Sequence, residues 1–142
     1  MKRILVDSGI LLSYYQRREP LHQAVVAFFE HSSDQLTTSV ICIAEVLWLL
    51  GNPADRNVLA AQNHLLKAVE QAVIEVIDLR PEDYARVAEL NARYADLPGD
   101  FADLTLVALS ERLQIAEILT LDDDFDVYRR FRREPFIRVS LG

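Results

Sequence analysis

The chain has little cysteine, little glycine and no excess of positive charge, and each shortage removes a class of function. Cys42 is the only cysteine in 142 residues. That excludes a disulfide framework and a thiolate metal cluster, and it fits a reducing compartment such as the cytoplasm. Only 4 glycines are present and none forms a glycine-rich phosphate loop, which argues against nucleotide binding. The formal charge of −7 argues against gripping nucleic acid by bulk charge alone. It leaves open an acidic pocket that holds a cation, with basic patches beside it. No apolar run approaches the roughly 18 residues of a membrane span. The short run after Met1-Lys2-Arg3 meets Asp7 too soon for a signal peptide. No low-complexity segment or internal repeat is visible. With 51% hydrophobic and 26% charged residues, residues 1–142 read as a single globular domain with a real core.

What is present alternates between strand and helix patterns. Arg3–Val6 is short and apolar and predicts a buried first strand. A helix follows from Ser8-Gly9, over Ile10–Gln16, and Arg17-Arg18-Glu19-Pro20 breaks it. Leu21–His31 predicts a second helix. Leu36–Thr38 is a weak strand, and Ser39 can cap what comes next. Val40–Leu50 is apolar nearly all round, the pattern of a buried helix, and Glu45 is its single charge. Gly51-Asn52-Pro53 ends it. Ala54–Ala72 predicts a long amphipathic helix, and Val73–Ile77 alternates as a strand. Pro81 suits the first position of a helix running to about Tyr94. Pro98-Gly99 predicts a turn, Asp100–Leu113 a helix, Glu117–Leu121 a strand and Phe136–Ser140 a short last strand. Strands alternating with helices indicate βαβ units, hence a three-layer α/β sandwich on a parallel sheet of about five strands.

Function is argued from carboxylates. Sites in open parallel sheets form at the carboxyl ends of the strands. Asp7 directly follows the first strand and Asp122 directly follows Glu117–Leu121. Glu45 lies in the second turn of its helix, and Asp103 in the first turn of the Asp100–Leu113 helix. Four acids far apart in sequence are therefore expected on one rim, and no basic residue adjoins any of them. Each has a plain alternative. Asp7 and Ser8 are good caps, Asp103 suits a helix dipole, and the run Asp122-Asp-Asp-Phe-Asp126 resembles a solvated face. Glu45 resists dismissal, because a buried charge needs a partner. Together, clustered carboxylates repel unless a cation intervenes. Oxygen ligands suit Mg²⁺ or Mn²⁺, and such an ion can activate water toward a phosphodiester.

Four pieces carry a family resemblance. They are Ile4-Leu-Val-Asp7-Ser8, Thr38-Ser-Val-Ile-Cys-Ile-Ala-Glu45-Val, Phe101-Ala-Asp103-Leu-Thr-Leu-Val-Ala-Leu-Ser-Glu-Arg112 and Ile118-Leu-Thr-Leu-Asp122-Asp-Asp124-Phe125. In order and spacing the chain resembles the PIN-domain ribonucleases, and among them the VapC-type toxins of toxin–antitoxin pairs. The resemblance implies a parallel five-stranded sheet flanked by helices. It implies Mg²⁺ or Mn²⁺ held by Asp7, Asp103, Glu45 and Asp122, with Glu45 holding or orienting water. It implies supporting roles for Ser8, which orients the first acid, and for Thr120, which precedes the last. It implies RNA as substrate, a cognate antitoxin whose tail covers the acidic pocket, and a homodimer. Asp100 departs from the pattern as an extra acid, and Asp124 competes with Asp122 for the fourth place. A catalytically silent PIN-fold module that binds protein is the alternative, although a silent module has no reason to keep a repulsive cluster.

Other features have two readings each. Arg129, Arg130, Arg132 and Arg133 could contact RNA phosphates beside the acidic pocket or form a solvated basic face, and Arg17-Arg18 is open to the same two readings. His22, His31 and His64 lack ligand spacing and are expected in structural or surface roles. Cys42 is expected in packing, and Trp48, Phe28 and Phe29 in the core or a dimer surface. The apolar positions of Ala54–Ala72 predict a groove there, or beside Leu21–His31, that takes an antitoxin segment.

Overall fold

The computed structural model describes residues 1–97 and 100–142; the expected Pro98-Gly99 turn lies outside them. The elements are β1 (Arg3–Val6), α1 (Ser8–Tyr15), α2 (His22–His31), β2 (Gln35–Ser39), α3 (Val40–Leu50), α4 (Arg56–Glu70), β3 (Ile74–Ile77), α5 (Pro81–Arg93), α6 (Phe101–Arg112), β4 (Glu117–Leu119) and β5 (Ile137–Arg138). Five strands form one all-parallel sheet in the order β3-β2-β1-β4-β5. The expected α/β sandwich is thus the observed fold. Among the described residues no helix is long and apolar enough to cross a membrane.

The three layers can be read from strand periodicity. Successive strand side chains point to opposite faces. Leu5 and Ile118 pack into one apolar cluster with Leu90, Leu106, Phe125 and Tyr128. Ile4, Val6 and Leu119 pack into the other with Ile10, Val25, Ile43 and Leu65. The central strand β1 is apolar on both faces because helices cover both.

Capping decides several boundaries. Asp7 Oδ1 accepts from Ile10 N at 3.0 Å and starts α1. Ser39 accepts from Cys42 N and starts α3, as expected. Asp55 caps α4 and Asp100 caps α6 through Asp103 N at 2.8 Å. Helix α4 is therefore shorter than Ala54–Ala72 at both ends. Strand β4 stops at Leu119 and β5 covers only Ile137–Arg138, both shorter than expected. The acid run after β4 forms a 3-10 turn, Asp123–Asp126, which Asp122 caps.

One expectation fails on burial. Helix α3 is not buried all round: Cys42, Ile43 and Val46 are, whereas Trp48 is 82% exposed and Leu49 half-exposed. Its hydrophobicity therefore serves the core along one stripe only. Glu45 is half-buried, so the case made for it as a buried charge fails with the same observation.

Candidate active site

The strand order brings the acids together. β1 and β4 are neighbours, with Val6 paired to Leu119, so the residues just beyond them meet. Thr120 Oγ1 donates to Asp7 Oδ2 at 2.5 Å and accepts from Asp122 N at 2.9 Å. One hydroxyl thus fixes the carboxylate that ends β1 and the backbone that leads to the next acid. Helix α6 is tied to the edge of β2 by a 2.8 Å hydrogen bond between Ser39 and Thr105. That places Asp103, in its first turn, beside Asp7. Helix α3 leaves the same strand and supplies Glu45.

The result is a cleft of about 330 Å³ lined by Asp7, Ser8, Glu45, Asp100, Asp103 and Asp122, with Gly9, Leu12, Leu49 and Leu121 at its sides. All four expected acids line it. The extra acid Asp100 lines it too, while its carboxylate caps α6. Asp124 is not in the lining. Its carboxylate nonetheless offers an oxygen within 4.8 Å of those of Asp103 and Asp122. The two candidates for the fourth acid therefore stand side by side. Leu12 and Leu49 are the residues that motif reasoning passed over. Each lies four residues after a lining residue on its own helix, Ser8 and Glu45, so helical periodicity could have found them.

The electrostatics are those of unrelieved repulsion. Burial, followed by the charges of Asp100, Asp7, Asp122 and Glu45, pushes Asp103 up to about 8. Burial raises Asp7 to about 6, against the opposing hydrogen bonds from Thr120 and Ile10 N. Glu45 and Asp124 are raised as well, each by desolvation first and then by neighbouring acids. Ser8 is buried, and its hydroxyl faces Glu45 and Cys42 without hydrogen-bond geometry to either. Tyr128 is fully buried with its hydroxyl likewise unpaired, near enough to Asp103 to feel its charge. Buried hydroxyls usually find a partner.

Comparison with known proteins identifies the family and its fold. The sequence profile of the PIN domain matches residues 4–130. The chain belongs to the PIN-domain family. Within it, this PIN domain is 29% identical over 119 residues to a protein named ribonuclease VapC26 from Mycobacterium tuberculosis, covering 84% of this chain and 86% of that one. Its fold is similar to the crystal structure of VapC20 from the same organism, titled a sarcin-ricin loop cleaving toxin. The TM-score is 0.72 and the identity 20%, over 87% of this chain and 93% of that one. It is also similar to a toxin–antitoxin complex from Klebsiella pneumoniae, with a TM-score of 0.67 and 17% identity over 98% of each chain.

The basic run does not sit as a group beside the acids of this PIN domain. Arg130 is buried and bonds Ser110 through Nε and Nη2. That anchor lies seven residues beyond Asp103 on α6, about 10 Å along the axis. Arg129 turns back onto the carbonyls of Asp126 and Tyr128, and Arg132 pairs with Glu89. Arg133 is exposed. Arg130 is thus a structural residue, and its place among the phosphate contacts is withdrawn. Cys42 is buried in the core, as expected, and Phe28 and Phe29 pack against the second apolar cluster. His22 and His31 bond backbone carbonyls of Ser13 and Ala27.

Proposed function

We propose that this PIN domain is a metal-dependent endoribonuclease, the toxin of a type II toxin–antitoxin pair, acting in the cytoplasm. The observation that carries this is the meeting of Asp7, Glu45, Asp103 and Asp122 in one cleft with no basic residue in the lining. The names of the relatives, a ribonuclease and a toxin–antitoxin complex, support the same class.

The donor set fits a hard divalent cation, Mg²⁺ with Mn²⁺ as substitute. It is all oxygen, it is short of positive charge, and the unpaired Ser8 hydroxyl stands in its wall. Asp103 and Asp122 would hold the ion with Asp7, which lines the same cleft; Asp124 offers an oxygen beside the first two, and Glu45 lines the cleft with them. When bound, the ion activates water and offsets charge on the scissile phosphodiester. The protein's own groups do the positioning. Thr120 holds Asp7 in one rotamer, and the N-cap bond of Asp100 fixes the turn that carries Asp103. Glu45, half-exposed with a raised pKa, is suited to orient the attacking water and accept its proton.

Partners follow from the exposed apolar residues. Trp48 and Leu49 on α3 form a surface for a second copy of the chain, next to the cleft that Leu49 lines. Leu59 and Leu66 are exposed on one face of α4 and suit an antitoxin segment.

The test is incubation of pooled cellular RNA with the purified chain in Mg²⁺, in Mn²⁺ and in EDTA, beside Asp103→Asn. Discrete products that need both metal and Asp103 are expected. Equal cleavage by Asp103→Asn, or cleavage in EDTA, would overturn the proposal.

A further inference from the structure

A second recess, of about 860 Å³, lies at the far end of α1. It runs between the Tyr14–Glu19 segment, the start of α2 and the first half of α4. A groove was expected along Ala54–Ala72 or beside Leu21–His31, for a protein segment. This recess touches both helices, but its lining is mostly aromatic and polar, with Val26, Ala60 and Ala61 as its aliphatic part. Arg17 and Arg18 are exposed in it, and neither guanidinium is paired among the described residues. Glu19 is the single carboxylate of its lining.

His64 is the telling residue. It is exposed, yet its ring is both stacked and hydrogen-bonded. Its ring stacks on Tyr14 at 5.6 Å and 18°, and Tyr14 is backed in turn by Phe29 at 5.2 Å. Its Nδ1 shares a 2.8 Å hydrogen bond with the Tyr15 hydroxyl. Ordering an exposed side chain costs rotamer entropy. What the fold obtains is a flat aromatic ring, fixed in a groove beside two unpaired arginines.

We propose that this groove binds a single-stranded stretch of the RNA substrate flanking the cleaved bond, with phosphates on Arg17 and Arg18 and a base on the His64–Tyr14 stack. The inference rests on the ribonuclease proposal above. A chain of charge −7 with an acid-lined cleft repels RNA. Affinity must then come from cations that the fold leaves unpaired, and from stacking, which is tolerant of sequence. Helix α1 links the two sites. Asp7 caps one end and Tyr15 closes the other, eight helical residues or about 12 Å away, within reach of a few nucleotides. A protein segment suits the groove less well. The exposed leucines of α4, Leu59 and Leu66, project from the face opposite to Asn57, Ala60, Ala61 and His64, which line it.

The experiment is fluorescence anisotropy of a labelled single-stranded RNA of about 15 nucleotides in EDTA, where nothing is cut, across a salt series. Arg17→Glu/Arg18→Glu is expected to bind about tenfold more weakly. Its log–log salt slope should be shallower by about 1.4, two phosphates at roughly 0.7 each for a single strand. His64→Ala should also bind about tenfold more weakly, whereas His64→Phe, which keeps a stacking ring, should bind nearly as the parent does. Unchanged affinity and slope in the arginine variant would overturn the inference, even if the protein cuts RNA. So would unchanged RNA binding with loss of a co-expressed protein partner, which would make the groove a protein-docking site. Binding that depends on these residues in a protein that never cuts RNA would support the groove and overturn the nuclease proposal instead.

Discussion

The two ends of α1 carry opposite chemistry. At its N-terminus five carboxylates line a cleft with no basic residue in its lining. At its C-terminus two arginines and two histidines line a groove with one carboxylate. The acid end is held together by hydrogen bonds, while burial first and repulsion second raise Asp7 and Asp103 far above ordinary carboxylates. The basic end has spare positive charge, since neither Arg17 nor Arg18 is paired among the described residues. Stored electrostatic cost marks the site of chemistry, and unspent charge marks a place that only binds.

The sharpest way to break this contrast is to neutralise one acid. Asp103→Asn, or Asp7→Asn, should lower RNA cleavage by about 10³-fold or more, since each would hold the ion that carries the reaction. RNA binding in EDTA should be unchanged or tighter, because a repelling charge is gone. A matched loss of cleavage and binding would mean that the two ends are not separate in function.

A smaller effect is expected from Thr120→Val. The variant keeps the volume of the side chain but removes the donor to Asp7 and the acceptor for Asp122 N. Residues that orient a metal-holding carboxylate cost about 10–100-fold when lost. The loss should lie in kcat, or in the metal concentration needed, and Thr120→Ser should recover most of it. If Thr120→Val cuts RNA at the parent rate, the buried hydroxyl is only a strand-end cap.

The sequence revealed the acid end far better than the basic end, for a physical reason. Asp7 and Asp122 follow strand ends, and Asp103 and Glu45 lie in the first two turns of helices that strand and helix periodicity marks; a parallel sheet sends such positions to one rim. The five strands and six described helices were legible in the same way. Burial was not. Val40–Leu50 reads as uniformly apolar, yet whether Trp48 meets a core depends on which neighbour packs there, and none does. The arginine run after Tyr128 was misleading for a related reason, since a string of like charges carries no sign that Arg130 folds inward onto Ser110. His64 was read only as a structural or surface residue, and its stacking was not foreseen. Its meaning comes from Tyr14 and Tyr15, some fifty residues away.

The gentlest test uses stability and needs no substrate. In the metal-free protein Asp7 titrates near 6 and Asp103 near 8, against 3.8 for an unperturbed aspartate. Over that interval the folded state keeps protons that the unfolded state has released. Stability must therefore fall as pH rises from about 4 to about 8. Below that window both states are protonated and the penalty is absent; above it the penalty is complete. In EDTA the Tm should drop by several degrees across the window. Asp103→Asn should flatten the curve and melt higher than the parent at pH 8, although it is the variant that loses cleavage. Mg²⁺ should flatten the parent's curve in the same way, because a ligand that binds only the folded cleft offsets its repulsion. Arg17→Glu/Arg18→Glu, at the other end of the same helix, should leave the slope alone. A Tm that rises with pH in EDTA would mean that the carboxylates do not share one cleft.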